Sequence, residues 1–154
     1  QLVEDSDKAL LRKGEDSRIN FYKALALANL GELDDAEKLV GACIAQAPEN
    51  QSAYLLQGLI CIEKQKPGEA ECCFRKAIYL RRNYPEAHYH LGLSLLRRGK
   101  RTDGLKSLRN ARQMALNADL QQPLDSVPGM TCSQLAKILN QEIAMFAGES
   151  VAQL

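Results

Sequence analysis

Residues 85–111 read PEAHYHLGLSLLRRGKRTDGLKSLRNA. A shift of 34 positions lays two further stretches on them without a gap, QSAYLLQGLICIEKQKPGEAECCFRKA over 51–77 and SRINFYKALALANLGELDDAEKLVGAC over 17–43. Small residues recur in three columns: Ala24, Gly58 and Gly92; Ala36, Ala70 and Gly104; Cys43, Ala77 and Ala111. Large apolar residues keep the same step in Val40, Phe74 and Leu108, and in Leu27, Cys61 and Leu95. Two antiparallel helices that cross closely need this arrangement, a small residue at the crossing and larger ones on its flanks. The spacing predicts helix pairs near 17–30 and 33–46, 51–64 and 67–81, and 85–98 and 101–117. Gly31, Gln65 and Gly99 stand where a first helix ends, Gly31 and Gly99 suit the left-handed closing conformation, and Pro67 and Pro85 suit a first helical turn. Asp34 and Thr102 lie where side-chain caps are expected.

A 34-residue period of this kind resembles the tetratricopeptide repeat (TPR). Leu91, Gly92, Leu95, Gly99, Leu108 and Ala111 match that pattern best, followed by Gly58, Ala70, Phe74 and Ala77. The first copy departs from it with Asn20 and Lys23 at the leading aromatic and Leu columns, and the third copy has Gly104 where Ala is usual, departures expected to weaken local packing. The fold class expected is therefore all-α, a right-handed TPR superhelix of three helix-turn-helix repeats over 17–50, 51–84 and 85–118. Asp119 to Met130, with Pro123, Pro128 and Gly129, is too broken for a helix and reads as a Pro/Gly loop over 119–130. Thr131 and Gln134 then offer a capping box, and Leu135, Ile138, Leu139, Glu142, Ile143 and Phe146 an i, i+3, i+4 stripe, which predicts an amphipathic capping helix over 131–147 and a tail over 148–154. Ahead of the repeats, Ala9-Leu10-Leu11 gives the extension over 1–16 some helical character, read as a short preceding helix.

Composition excludes several classes of function. In a 154-residue chain, 20 basic residues nearly cancel 19 acidic ones, which argues against nucleic acid as a partner. No apolar run approaches the roughly 20 residues of a membrane span, and the acidic amino end lacks a signal pattern, so no membrane association is expected. The five cysteines form no C-x-x-C pair, so reduced thiols and a cytoplasmic location are expected. The chain opens on Gln1, not Met, and is expected to be a piece of a longer polypeptide.

The residues point away from catalysis, with no Gly-rich phosphate loop, metal quartet or nucleophile with its base. His88 and His90, two apart on one helix, diverge and cannot grip one metal. His88 shares the aromatic column of Tyr54 and is read as packing, His90 as facing the surface, and Cys43 and Cys61 as buried apolar residues. No cofactor, metal or catalytic residue is therefore assigned.

A repeat array offers instead a groove lined by the first helix of each pair. Its outward columns read Arg18, Phe21, Leu25, Ala28 and Asn29; Ser52, Leu55, Leu59, Ile62 and Glu63; Glu86, Tyr89, Leu93, Leu96 and Arg97. The TPR resemblance implies that a carboxylate clamp of the chaperone-binding type would need Lys and Asn where Phe21 and Leu25 stand, so that clamp is not expected. The groove is apolar enough to require an occupant: a peptide or helix of another protein, the amino-terminal segment, the last helix, or a second copy of the chain. The expected contact residues are Arg18, Phe21, Leu25, Asn29, Leu55, Leu59, Ile62, Tyr89, Leu93, Leu96 and Arg97 in a monomer or weak dimer. Basic residues from Arg81 to Arg112 read mainly as solvated helix faces.

A narrower resemblance lies in Lys76-Ala-Ile-Tyr-Leu80, Pro85-Glu-Ala-His-Tyr-His-Leu-Gly-Leu93, Leu105-Lys-Ser-Leu-Arg-Asn-Ala111 and Val127-Pro-Gly-Met-Thr131 with Leu135. Over about 70–146 these motifs resemble the carboxy-terminal TPR region of bacterial CheR-type chemotaxis methyltransferases. The resemblance implies a parent enzyme that moves a methyl group from S-adenosylmethionine to chemoreceptor glutamates, with its catalytic domain before Gln1. It makes this piece a regulatory module contacting receptor, catalytic domain or another signalling protein.

Overall fold

The computed structural model describes residues 2–148, and among them seven helices follow one another: α1 Leu2–Asn29, α2 Leu33–Gln46, α3 Gln51–Glu63, α4 Pro67–Leu80, α5 Pro85–Arg97, α6 Arg101–Asn117 and α7 Cys132–Ala147. The helices pack as three antiparallel pairs, α1 with α2, α3 with α4 and α5 with α6, stacked through α2 on α3 and α4 on α5, with α7 closing the array on α6. The expected short helix before the repeats is not separate: α1 runs unbroken from Leu2. No Pro or turn signal interrupts 9–20, and Gly14 lies in open space where the helix can carry it. Of the expected tail, residues 149–154 lie outside the described residues.

The small columns sit at the crossings. A Cβ on Gly92 would come within 2.7 Å of Leu108 Cδ2 and 3.0 Å of the Gly104 carbonyl, and one on Gly104 within 2.7 Å of Leu96 Cγ. Gly104 therefore does not loosen the third repeat; it admits a close backbone approach between α5 and α6. Cys43 is buried at the crossing of α1 and α2, and Ala77 and Ala111 are sealed at the corresponding positions. Gly31 and Gly99 close their helices at φ +83° and +77°, and Gln65 takes the same left-handed turn at φ +60°.

Pro67 and Pro85 open α4 and α5, as expected. Asp34 and Thr102 do not cap. The helices begin at Leu33 and Arg101, which puts Asp34 and Thr102 inside the first turn, and the flanking Glu32 and Lys100 give no side-chain cap. Asp34 instead accepts from Lys64 Nζ at 2.8 Å, and Lys64 also reaches Glu37 at 2.5 Å. One repeat later the same two columns pair Arg98 with Glu71, whose carboxylate also meets Arg75 at 3.1 Å and Lys100 at 3.5 Å. The first helices α3 and α5 are thus clamped at their ends to the second helix of the preceding pair, and two of the clustered basic residues, Arg98 and Lys100, have structural partners.

Candidate functional site

An open cavity of about 520 Å³ lies across the carboxy-terminal halves of α1, α3 and α5. Its floor is one column of the repeat, Leu25, Leu59 and Leu93, and its rim another, Asn29, Glu63 and Arg97, with Ile62 and Tyr89 between. The size falls within the range of small binding sites.

The amino-terminal ends of α3 and α5, with the stretch of α1 around Arg18 and Phe21, are already covered. Residues 119–130 form an ordered strap in which the Leu124 N–H donates to the Met130 carbonyl and the Cys132 N–H to that of Gln122. Asp125 Oδ2 accepts from Ser52 Oγ of α3 at 2.8 Å and from Tyr84 Oη at 2.7 Å. The Glu86 carboxylate accepts from the Asp125 N–H at 2.6 Å, the Ser126 N–H at 3.0 Å and the Ser126 hydroxyl. Only 4% of Glu86 is exposed, and burial pushes its carboxyl above the usual range against the pull of these three donors. Arg18 and Phe21 border a smaller recess with Pro123, Leu124 and Asp125. The column Arg18, Ser52 and Glu86 therefore faces the strap, and Ser126 and Val127 wall the open cavity.

This architecture is shared with several solved structures. The type III secretion translocator chaperone SycD of Yersinia enterocolitica is similar with a TM-score of 0.73 at 14% identity, over 87% of this chain and 85% of that one. PcrH in complex with the chaperone-binding region of PopD is similar with a TM-score of 0.73 at 17% identity, over 87% and 93%. The first TPR of Spaghetti (RPAP3), bound to the HSP90 peptide SRMEEVD, gives 0.64 at 15% identity, over 84% and 94%. The tetratricopeptide-repeat family model matches residues 23–88. The fold is that of a TPR superhelix. Human Superkiller complex protein 3 is 32% identical over 80 residues, and human protein O-mannosyl-transferase TMTC3 is 29% identical over 104 residues. This chain spans only 5% and 11% of those proteins' lengths.

Within the TPR groove the expected contact residues separate into three groups. Leu25, Asn29, Leu59, Ile62, Tyr89, Leu93 and Arg97 line the open cavity together. Arg18 and Phe21 lie at the strap recess. Leu55 and Leu96 belong to neither. Leu55 is 1% exposed, packed with Phe74, Tyr84 and Ala87 where the next pair stacks against α3, and Leu96 turns toward α6 and α7 through the space left by Gly104.

His90 differs from its expected surface position: it lines the cavity, with its ring stacked on Phe74 at 5.8 Å between centroids. Burial, helped by the charge of Arg97, lowers its pKa to about 4, so the imidazole there is neutral near pH 7. His88 packs as expected, one ring nitrogen 3.3 Å from the Arg82 carbonyl. Sequence reasoning missed Ser126 and Val127. The available signal was Glu86, a carboxylate in a column that packing buries and that must find donors. Among the described residues no group of three His, Cys, Asp or Glu side chains could hold a metal ion, and no helix is long and apolar enough to cross a membrane.

Proposed function

We propose that this domain is a non-catalytic protein-interaction module that holds a segment of a partner protein in the open half of its groove. The observation that carries this reading is the row Leu25, Leu59 and Leu93, left facing a cavity after the strap has taken the other half. Apolar side chains so placed gain by burial against a partner, on the order of 25 cal/mol per Å² covered. The structural neighbours PcrH with PopD and RPAP3 with the HSP90 peptide support the reading as examples of the same scaffold seated on a polypeptide. In Leu59→Glu and Leu93→Glu variants, partner affinity should fall at least tenfold while far-ultraviolet circular dichroism keeps its helical signal; unchanged affinity in both rejects the assignment.

The finer setting, proposed on the motifs at 76–80, 85–93, 105–111 and 127–135, is the regulatory carboxy-terminal region of a cytoplasmic chemotaxis receptor methyltransferase. Its test is the natural chain upstream of Gln1, where an S-adenosylmethionine-dependent methyltransferase domain is expected and an unrelated domain would reject the setting. A second reading, a self-assembly module with its groove filled internally, is favoured by the strap contacts of Asp125 and Ser126. Sedimentation decides its assembly part: a stable dimer dissolved by Leu59→Glu supports assembly, and a monomer at all concentrations removes it.

A further inference from the structure

The groove reading leaves the chemistry of the bound segment open, and the rim of the cavity narrows it. Positions 63 and 97 are one repeat apart, as are their neighbours 64 and 98. Lys64 and Arg98 are spent on the clamps to Glu37 and Glu71. Glu63 and Arg97 border the cavity, both exposed, and neither has an ion pair among the described residues. An acidic and a basic side chain therefore stand at equivalent points of neighbouring helices beside the apolar row.

The width of the lane bears on the form of its occupant. The strap is pinned at the first turn of α3 through Ser52 and of α5 through Glu86. The stretch of α3 left to the cavity begins at Leu56 and ends at Glu63, about 10 Å at 1.5 Å per residue. A helix, about 10–12 Å across with its side chains, would fill the whole lane and overhang its rim, whereas an extended chain, about 5 Å wide in the plane of its backbone, lies within it.

Resting on the groove reading, we propose that the partner segment is extended, lies beside the strap, and carries a basic residue against Glu63 and an acidic residue against Arg97, with apolar side chains on Leu59 and Leu93. The axes of α3 and α5 stand at least as far apart as those of directly packed helices, about 8–10 Å, which places the two charges about three to four residues apart in a chain rising roughly 3.3 Å per residue. Complementary charges at such a rim set register and partner choice more than total affinity.

The test uses the whole chain and a displayed library of random 12-residue peptides, counter-selected on the Leu59→Glu variant. Enriched peptides should carry Lys or Arg three or four residues from Asp or Glu, flanked by apolar residues. Exchange of the rim charges, Glu63→Arg with Arg97→Glu, should weaken a selected peptide at least tenfold and be rescued when the peptide's own two charges are exchanged; circular dichroism and a urea midpoint confirm that the variant is folded. Peptides that need Leu59 but ignore the charge exchange overturn this proposal and leave the groove reading standing. A charge spacing of six or seven overturns the extended form. A library yielding no Leu59-dependent binder overturns both.

Discussion

The Ser52 hydroxyl and the Asp125 carboxylate meet at 2.8 Å although 73 positions separate them. The contact joins the second repeat to the loop that follows the third, so it closes only when the second and third pairs have stacked. Tyr84, 1% exposed, shares the same carboxylate oxygen through its own hydroxyl. The strap is thus part of the folded core's polar accounting, and it turns an open trough into a cavity with a wall.

Removing that anchor should have a defined cost. Asp125→Ala leaves the buried Tyr84 hydroxyl without its acceptor and frees Ser52, and hydrogen bonds to a charged group contribute about 1.5–3 kcal/mol each at most. Urea denaturation should show a loss of about 2–3 kcal/mol. Amide exchange should accelerate at Leu124, Asp125 and Ser126 more than in α3. A variant with unchanged strap protection would mean that Glu86 alone holds the segment.

Two kinds of glycine substitution should separate in sign. A Cβ on Gly58 would lie within 2.7 Å of Phe74 Cδ1, and one on Gly92 within 3.0 Å of the Gly104 carbonyl. Gly58→Ala and Gly92→Ala should each destabilise by about 1–3 kcal/mol, Gly92→Ala more because a backbone atom cannot rotate away. Gly41, inside α2 with nothing within 4 Å, should instead gain about 0.5–1 kcal/mol as Ala, because the helix no longer loses glycine's backbone freedom. Thermal or urea midpoints of the three variants measure this ordering, and equal shifts would reject the close crossing.

The helix pairs were legible because a close crossing imposes its requirement at one position per repeat, so Ala36, Ala70 and Gly104 announce themselves by spacing alone. Half of the groove was legible for the same reason: Leu25, Leu59 and Leu93 recur in step. Leu55 was misplaced because it lies one turn from Leu59 on the same apolar stripe, and a 3.6-residue period does not say which turn the next pair will cover. The strap was invisible as an occupant. Pro123, Pro128 and Gly129 mark a loop, but where a loop lands depends on how the stack curves, a long-range outcome with no local pattern. Glu86 held the clue, as a carboxylate in a packed column, without naming Asp125 and Ser126 as its partners.

His90 supplies the pH dependence. Its folded pKa of about 4 lies below the roughly 6.5 of an unfolded histidine, because burial excludes the charged ring and Arg97 repels it. Between those values the unfolded chain takes up a proton that the folded chain refuses, so this residue's contribution to stability is complete above pH 6.5 and is lost as the pH falls toward 4. His88 is shifted the same way and Glu86 the opposite way, so the wild-type profile alone does not isolate the effect. His90→Phe does, since it keeps an aromatic ring against Phe74 and removes only the titration. Between pH 7 and pH 4.5 the wild type should lose about 2 kcal/mol more stability than His90→Phe, read from urea midpoints across that range. Parallel profiles would place the His90 ring in water instead of in the cavity wall.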